Sequence, residues 1–278
     1  MKNVFDKNEL KRKCLKSREL MYNITYNCGV SGAHIGGGLS LVEIMTVLYN
    51  NILNIDKMDP FDDYRDRLIL SKGHGALAMY ISQYISGYIK YDELMTYKKN
   101  GSFYSVHPQK NQEKFIEFSS GSLGQGISLG VGVALALKLK NNLTSKVFVI
   151  LGDGECNEGQ VWEAAESSSH FKLNNLVVII DKNNIQNDNK TEIIMSNSPF
   201  KEKWESFGFD TIEIDGHNVE DVYNALNKES QNKPICIIAN TVKGKGLSVA
   251  ENNPEWHNHS LSKEQFDIAI KELQNDKY

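Results

Sequence analysis

The chain has 278 residues, and its 31 lysines and arginines against 35 aspartates and glutamates give a formal net charge of −4. Hydrophobic residues make up 40% of the sequence and charged residues 24%, which is ordinary globular composition and argues against global disorder. A chain of this length can fold as one large domain without disulfides or a structural metal. Its slight acidity provides no general attraction to nucleic acids or anionic membranes. The composition therefore predicts a soluble globular protein that binds neither.

Neither the cysteines nor the apolar segments indicate export or membrane insertion. The four cysteines contain no Cys-x-x-Cys pair, which excludes the common zinc and thioredoxin-type patterns and favours reduced thiols. The first residues, MKNVFDKNELKRKC, are charged throughout and lack the apolar segment of a signal peptide. The longest apolar stretch, at 127–137, is too short and too rich in glycine to span a bilayer. We therefore expect a cytoplasmic protein.

The first third of the chain, about 1–145, is predicted to be mainly helical. Periodic apolar residues predict helices over 7–26 and 75–87, with a short buried strand between them at 67–70. Ser40 and Glu43 have the spacing of a capping box, which predicts a helix from there to about residue 50. Core packing alone explains most of the periodic Leu, Met and Tyr residues in this part.

From about residue 146 to about 262, the pattern changes to strands that alternate with helices. Four short apolar runs predict strands that are buried on both faces, at 147–151, 176–180, 211–214 and 235–239. Helical stretches separate these runs at 158–171, 199–207 and 218–228, and a charged terminal helix is predicted at 262–276. The alternation predicts an α/β fold with a doubly wound, mainly parallel sheet flanked by helices. We expect residues 1–278 to form a single domain.

A polar cluster follows each of the four strands in this alternating part. The clusters are GDGECNEG (152–159), DKNNIQN (181–187), DGHN (215–218) and NTVKGKG (240–246). In open α/β sheets, ligands bind just beyond the carboxyl ends of the strands. The sequence therefore predicts a ligand site at this edge of the sheet, which we call the carboxyl rim.

Two of these clusters have the chemistry of a metal-bound diphosphate site. Asp153 follows one strand and Asn183, thirty residues later, follows the next, so their side chains should lie on adjacent loops. Carboxylate, carboxamide and backbone carbonyl oxygens suit Mg²⁺ or Ca²⁺, with phosphate oxygens completing the coordination. Gly154 would let the backbone approach a phosphate, and the start of the following helix would attract the same anion. Taken alone, Gly-Asp-Gly is equally well explained by an ordinary turn.

Seven short motifs follow one another along the chain. They are SGAHIGG (31–37), SKGHG (71–75), GSLGQG (121–126), GDGECNEG (152–159), DKNNI (181–185), KGKG (243–246) and ENNPEWH (251–257). In this order they resemble the N-terminal part of a transketolase, from about residue 10 to about residue 262. The resemblance implies the thiamine diphosphate-binding fold, in its diphosphate-binding (PP-type) module. It implies thiamine diphosphate and Mg²⁺ (or Ca²⁺) as cofactors.

The resemblance also implies which residues hold the cofactor. The metal ligands would be Asp153, Asn183 and the backbone carbonyl of Ile185. Gly121 and Leu123 resemble the segment that contacts the aminopyrimidine ring. The full set of cofactor contacts would be Lys72, His74, Gly121, Leu123, Asp153, Gly154, Glu155, Asn183, Asn187, Lys243 and His257.

The resemblance implies a catalytic role for five residues. They are His34, His74, His107, His257 and Glu158. His34 and His107 match histidines that hydrogen-bond substrate hydroxyls, and imidazoles suit steps in which protons move near neutral pH. Val106 stands where many relatives have glycine, which affects how His107 is presented. Glu158 matches a position at an interface between subunits.

Transketolases normally continue beyond this length with a pyrimidine-binding domain and a C-terminal domain. The resemblance therefore implies the N-terminal subunit of a split transketolase, active with a partner chain that carries the missing domains. The expected assembly is an α₂β₂ heterotetramer. The expected reaction is transfer of a two-carbon ketol unit from a ketose phosphate to an aldose phosphate, in pentose phosphate metabolism or in a specialised sugar pathway.

Three alternatives remain beside this interpretation. The first is another thiamine diphosphate enzyme, similar to deoxyxylulose-phosphate synthase or to a 2-oxoacid dehydrogenase subunit, although SKGHG and ENNPEWH favour a transketolase. The second is a non-catalytic assembly subunit, which the retained metal-ligand positions and histidines disfavour. A dinucleotide-binding protein is disfavoured because the Gly-x-Gly of GSLGQG follows no buried strand.

Overall fold

The computed structural model describes residues 4–275, which are built around a sheet of five parallel strands. The strands are β1 (Arg67–Leu70), β2 (Val147–Gly152), β3 (Leu176–Lys182), β4 (Asp210–Asp215) and β5 (Ile235–Asn240). Their order across the sheet is β1-β2-β3-β5-β4, and every neighbouring pair is parallel. The predicted α/β class and the predicted parallel sheet are therefore confirmed.

Helices cover both faces of the sheet. The helices are α1 (Lys7–Asn27), α2 (Ile35–Leu39), α3 (Val42–Val47), α4 (Ala76–Ile85), α5 (Tyr91–Leu94), α6 (Gln125–Leu139), α7 (Gly159–His170), α8 (Thr191–Met195), α9 (Phe200–Ser206), α10 (Val219–Leu226) and α11 (Lys263–Gln274). One core contains residues of α1, α3, α4 and α10 with alternate strand side chains such as Phe148 and Ile179. The other contains residues of α6, α7 and α9 with the intervening side chains, such as Val149 and Val178. The sheet is thus doubly wound.

Strand β4 departs from the predicted burial on both faces. It lies at an edge of the sheet, and its residues are half-buried or exposed, whereas nearly all residues of β2, β3 and β5 are buried. Ile212 and Ile214 pack against the core, while Glu213 and Asp215 are exposed. An edge strand has a paired neighbour on one side only, so it tolerates charged side chains. The prediction that 211–214 is buried on both faces is wrong.

The predicted capping box at Ser40 and Glu43 is absent. Ser40 follows α2, and its Oγ hydrogen-bonds to Asp181 Oδ2 at 2.6 Å. Glu43 is buried within α3, where basic side chains from elsewhere in the chain bind its carboxylate. Helix α3 begins at Val42 without a side-chain cap and continues as a π-helical turn over Leu48–Ile52. Both side chains of the expected box are engaged in tertiary contacts instead.

The other predicted helices are present with small shifts of their ends. The helix predicted over 7–26 is α1, and that over 75–87 is α4 preceded by a short 3₁₀ turn. The terminal helix predicted over 262–276 is α11, and residue 276 lies outside the described residues. No helix within residues 4–275 combines the length and the apolar character needed to cross a membrane. The assignment of 1–278 to one domain stays a prediction.

A buried ion pair joins β3 to the loop after β1. Lys72 and Asp181 are almost completely buried, and the ammonium group contacts the carboxylate directly. Asp181 also accepts hydrogen bonds from Ser40 and Thr241, which follow α2 and β5. Burial alone would raise the pKa of Asp181, but Lys72 and the hydrogen bonds from Ser40 and Thr241 together outweigh burial and hold this pKa below its ordinary value. The pair thus ties four segments together at the carboxyl rim.

We predict that Lys72→Met destabilises the protein by about 3–5 kcal/mol, because it leaves the Asp181 carboxylate buried without its cation. Adding Asp181→Asn should recover most of this loss, since no uncompensated charge then remains. Urea denaturation measures the free energies of unfolding. Lys182→Met, which breaks a more exposed pair with Glu213, is the control and should cost less than about 1 kcal/mol. A Lys72→Met variant as stable as this control would contradict the prediction.

Candidate cofactor and active site

The turns after β2 and β3 lie in direct contact at the carboxyl rim. Gly152, at the end of β2, pairs with Asp181 in β3. One residue further, the Asp153 amide donates to the Asp181 carbonyl at 3.2 Å, and the Asn184 amide donates to Asp153 Oδ2 at 2.9 Å. Parallel pairing therefore brings the Gly-Asp-Gly turn against the turn that contains Asn183, as their spacing in the sequence predicts.

Asp153 is a buried carboxylate with a raised pKa. Its Oδ2 accepts hydrogen bonds from the Asn184 amide and the Thr191 hydroxyl, both at 2.9 Å. The Asn197 carboxamide donates to its backbone carbonyl, also at 2.9 Å. Burial raises the pKa of Asp153 to about 6, and the Asp181 carboxylate adds to the shift. A divalent cation would offset this cost, because it favours the ionised form of a ligating group.

Asn183 and Ile185 offer two more oxygens in the adjoining turn. Asn183 donates through Nδ2 to Asp181 Oδ2 at 3.3 Å, and its Oδ1 accepts from the Ile185 amide at 3.1 Å. Within residues 4–275, no three His, Cys, Asp or Glu side chains are grouped so that they could hold a metal. A metal here would depend on carboxylate, carboxamide and carbonyl oxygens together with oxygens of its ligand. That donor set fits Mg²⁺ or Ca²⁺.

Lys243 supplies a buried positive charge beside these turns. Its Nζ donates to the Gln186 carbonyl at 2.8 Å and lies 3.2 Å from His257 Nδ1. Both of these acceptors are uncharged, in contrast to the carboxylate that binds Lys72. Burial lowers the pKa of Lys243 to about 8, and the charge of Lys72 adds to the shift. An anionic ligand such as a diphosphate would stabilise this ammonium group.

Gln186 covers Gly154 and has an unused hydrogen-bond donor. A Cβ atom at Gly154 would lie 2.6 Å from Gln186 Cγ, so glycine leaves the space that this side chain occupies. Gln186 Nε2 is buried and has no hydrogen-bond partner in the part of the chain that the structure describes. Such a donor, on a residue whose backbone carbonyl binds the Lys243 ammonium group, suits an oxygen atom of an anion. The residues present therefore fit a diphosphate with its metal.

Four histidines form a cluster beside the buried lysine. The ring centroids of His34 and His257 are 5.2 Å apart, and those of His74 and His257 are 5.1 Å apart. His107 joins the group through His34, at 5.6 Å between centroids. His34 precedes α2, and His74 and His257 lie in or next to short 3₁₀ turns. The structure thus brings together all four histidines for which a catalytic role is predicted.

The four imidazoles are neutral near pH 7. Burial lowers the pKa of His34 to about 4 and that of His257 to about 3, and neighbouring rings and lysines add to both shifts. Burial also lowers the pKa values of His74 and His107. Within the described residues, His34 Nδ1 is buried and has no hydrogen-bond partner. The cluster can therefore exchange hydrogen bonds with hydroxyl groups without adding positive charge.

The loop that contains Gly121 and Leu123 closes one side of the histidine cluster. Gly121 has a φ of +144°, and a Cβ atom there would lie 3.3 Å from His107 Cγ. A Cβ atom at Gly73 would lie 2.6 Å from Ser120 Oγ, so this loop packs directly on the SKGHG turn. Leu123 is half-buried in the same loop. A ring-binding role of this loop is compatible with its position and stays a prediction.

Three predicted site residues do not join this group. Glu155 accepts hydrogen bonds from the amides of Gly124 and Gly152, at 2.7 and 3.0 Å, and therefore braces two loops. The carboxylate of Glu155 is engaged within the protein, and its predicted contact with the cofactor stays a prediction. Asn187 is exposed and donates to the aspartate that follows it, at 2.7 Å. Glu158 is exposed at the start of α7. The roles of Asn187 and Glu158 stay predictions.

Three residues at the site were not predicted from the sequence. Thr191 donates to Asp153, Gln186 covers the second glycine of the Gly-Asp-Gly turn, and Asp181 neutralises Lys72. Asp181 and Gln186 belong to the polar cluster 181–187, which begins in the last residues of β3, so their position in that cluster was a usable signal. Thr191 had no such signal, because its contact depends on how the chain folds after the turn.

We predict that Asp153→Asn stabilises the metal-free protein above about pH 6. Because the pKa of Asp153 is raised to about 6, the folded chain binds this proton more tightly than the unfolded chain does. The wild-type protein therefore loses stability as the pH rises from about 4 to about 6. Asp153→Asn does not show this loss, because asparagine stays neutral throughout. Thermal unfolding in EDTA should be measured from about pH 4 to about pH 7. At neutral pH, the free energy of unfolding of the variant should exceed that of wild type by about 1–3 kcal/mol.

The exposed Asp188 provides the matched control for this experiment. Asp188→Asn should leave the pH dependence of stability unchanged, because this side chain lies at the surface. Asparagine at 153 can still accept hydrogen bonds from Asn184 and Thr191, so the turn should keep its structure. Identical pH profiles for wild type and Asp153→Asn would contradict the raised pKa.

Comparison with known proteins identifies the family. The family model described as "Transketolase, thiamine diphosphate binding domain" matches residues 20–277. One of the subunits of the apulose-4-phosphate transketolase of Actinobacillus succinogenes is 38% identical over 273 residues, which is 98% of each chain. The 6-deoxy-6-sulfo-D-fructose transketolase subunit SqwG of a Clostridium species is 38% identical over 245 residues, covering 87% of this chain and 89% of that one.

Solved transketolases have the same fold. The structure from Campylobacter jejuni matches with a TM-score of 0.90 and 28% identity, covering 97% of this chain and 43% of its own. That from Leishmania mexicana matches with a TM-score of 0.85 and 27% identity, covering 95% and 41%. The chain thus spans about two fifths of the length of these solved enzymes. Since the family model covers most of the sequence, the chain belongs to the transketolase family and corresponds to its N-terminal, thiamine diphosphate-binding domain.

Proposed function

We propose that this chain is the N-terminal subunit of a split transketolase. With a partner chain it transfers a two-carbon ketol unit from a ketose phosphate to an aldose phosphate, using thiamine diphosphate and a divalent metal. One observation carries the proposal: the buried Lys243 and the joined turns of Asp153 and Asn183 lie beside a cluster of four neutral histidines. The first group fits a metal-bound diphosphate, and the second fits the hydroxyl groups of a sugar.

The relatives support a division of the enzyme into two chains. Two bacterial relatives with 38% identity are named as subunits, and the alignments cover nearly all of each. Helix α8 also suits a partner, because exposed Ile193 and Ile194 follow Thr191, which contacts Asp153. We expect an α₂β₂ assembly in the cytoplasm. The names of the relatives point to phosphorylated or sulfonated sugars of specialised pathways as substrates, beside those of pentose phosphate metabolism.

Residues of this chain would hold the cofactor through its diphosphate. Asp153, Asn183 and the carbonyl of Ile185 are the proposed metal ligands, and Lys243 and the backbone of Gly154 would bind the diphosphate itself. Bound thiamine diphosphate supplies a nucleophilic carbon and accommodates the electron pair released when the carbon–carbon bond breaks. The chain contributes the oxygen donors and the buried cation that keep this group in place.

The histidines would orient the sugar and move its protons. A neutral imidazole donates from one nitrogen and accepts at the other, so it can take a proton from a hydroxyl group or return one. We assign His34 and His107 to substrate hydroxyls, because His34 Nδ1 has no partner among the described residues and His107 packs beside it. His257 belongs to the cofactor side, since it contacts Lys243. His74 lies against His257 and would act with it.

We predict that the reconstituted complex forms a new ketose phosphate from a ketose phosphate donor and an aldose phosphate acceptor. Coupled assays of donor consumption with and without the acceptor measure this transfer. Release of CO₂ from pyruvate would instead support a related thiamine diphosphate enzyme and contradict the transketolase assignment. Absence of any heat of binding on titration with thiamine diphosphate and Mg²⁺ would support a non-catalytic assembly subunit.

We predict that Lys243→Met weakens binding of thiamine diphosphate to the assembled complex by about 10–100-fold, because a charged hydrogen bond contributes about 1.5–3 kcal/mol. Titration calorimetry in the presence of Mg²⁺ measures the affinity. Burial lowers the pKa of Lys243, so the charged lysine already costs the folded chain stability. Thermal unfolding without cofactor should therefore show the variant to be at least as stable as wild type.

The control for this variant is Lys99→Met, at an exposed lysine. It removes the same charge from the surface and should leave the affinity for the cofactor unchanged. If Lys243→Met bound thiamine diphosphate as tightly as Lys99→Met, the assignment of Lys243 to the diphosphate would be wrong. A loss of affinity in both variants would point to the net charge of the chain instead.

A further inference from the structure

A buried carboxylate on α3 has no part in the proposed reaction. Glu43 is 6% exposed, and its two oxygens bind two different side chains. Arg18 Nη1 donates to Oε1 at 2.7 Å, and His217 Nδ1 lies 2.8 Å from Oε2. Burial would raise the pKa of Glu43, but Arg18 and His217 outweigh burial and lower this pKa to about 2. Glu43 is therefore ionised at neutral pH and accepts hydrogen bonds from both partners.

Both partners of this carboxylate reach the loop that follows β5. The Val242 amide donates to His217 Nε2 at 2.9 Å. Arg18 Nε donates to the Lys245 carbonyl at 3.1 Å. The two bonds fall on either side of Lys243, the buried ammonium group of the candidate site. One carboxylate thus holds both flanks of this lysine through two side chains.

The loop after β5 packs so closely against the rest of the chain that two of its positions require glycine. A Cβ atom at Gly246 would lie 2.5 Å from Arg18 Nε, and the φ of this residue is +94°. Gly244, with a φ of +80°, donates through its amide to the Gly36 carbonyl at 2.9 Å. The path of the backbone that follows Lys243 therefore depends on contacts with distant parts of the chain.

The hydrogen bonds of His217 define its tautomer. A backbone amide can only donate, so Nε2 must present its lone pair to Val242. The proton of the neutral ring is then on Nδ1, where it is donated to Glu43. A carboxylate suits this arrangement because it only accepts. A carboxamide in its place could donate to Nδ1 and would select the other tautomer, which offers the Val242 amide no acceptor.

We propose that Glu43 is a positioning residue for the cofactor site, which fixes the Lys243 ammonium group through the tautomer of His217 and through Arg18. This proposal rests on the proposed function, because it takes the cofactor's diphosphate as the ligand of Lys243. Glu43 does not touch the site itself. Its effect passes through the backbone of 242–245, whose two ends its partners hold.

Glu43→Gln tests the proposal, because glutamine keeps the volume and an acceptor for Arg18 while offering His217 a donor. We expect ¹⁵N NMR of the full chain to show the His217 proton on Nε2 rather than Nδ1. Hydrogen exchange of the Val242 amide should accelerate about tenfold or more. In the assembled complex, the dissociation constant for thiamine diphosphate should rise about tenfold, with kcat at saturating cofactor within about twofold of wild type.

Two further variants complete the experiment, one as a control and one as a substitute for Glu43→Gln. Glu93→Gln changes a carboxylate that pairs with Lys114, away from the loop, and should leave all of these readouts unchanged. His217→Asn keeps a donor toward Glu43 but lacks the acceptor for the Val242 amide, so it replaces Glu43→Gln if that variant does not fold. It should show the same faster exchange and the same loss of affinity.

Several outcomes would overturn the proposal. An unchanged His217 tautomer or unchanged Val242 exchange in Glu43→Gln would show that the carboxylate does not control the loop. Wild-type affinity for thiamine diphosphate in a variant with faster exchange would show that the loop does not position Lys243, and the proposed function would stand. If the wild-type complex did not bind thiamine diphosphate, the proposed function would fail together with this inference.

Discussion

The contact between the turns after β2 and β3 is the constraint on which the rest of the site depends. It places two carboxylates, Asp153 and Asp181, in the same buried region. The protein neutralises Asp181 with Lys72, whereas the hydrogen bonds that Asp153 accepts in the described chain come from uncharged groups. Lys243 shows the complementary situation, since its acceptors are also uncharged. In the proposed function, Asp153 would bind the metal and Lys243 the anion, and the burial of both groups lowers the stability of the chain alone.

Much of the sheet could be predicted from the sequence, because buried parallel strands appear as short apolar runs between helical patterns. The common edge of the polar clusters then follows from parallel pairing alone. The exposure of β4 did have a signal in the sequence, because its Ile and Glu residues alternate, whereas the central strands are apolar throughout. Ser40 and Glu43 matched a local capping motif, but their partners Arg18, Asp181 and His217 lie far away in the chain.

The sequence identified the types of residue at the site, but it did not distinguish their individual structural roles. Asp153 and Glu155 stand two positions apart in one motif, yet one lies at the joined turns and the other braces two loops from inside. The difference arises because residues 154–157 form a 3₁₀ turn, in which side chains two positions apart point in different directions. The histidines were identified through motifs, and only the fold revealed that burial makes all four neutral.

This neutrality has a consequence for how the rim responds to its surroundings. Free histidine changes its charge within the physiological pH range, but imidazoles with such depressed pKa values do not. His34 and His257, whose pKa values burial lowers to about 4 and about 3, therefore keep their protonation state under ordinary conditions. In the proposed function they would exchange hydrogen bonds with a hydroxyl group without changing the charge of the rim. These two rings do not act as a pH sensor.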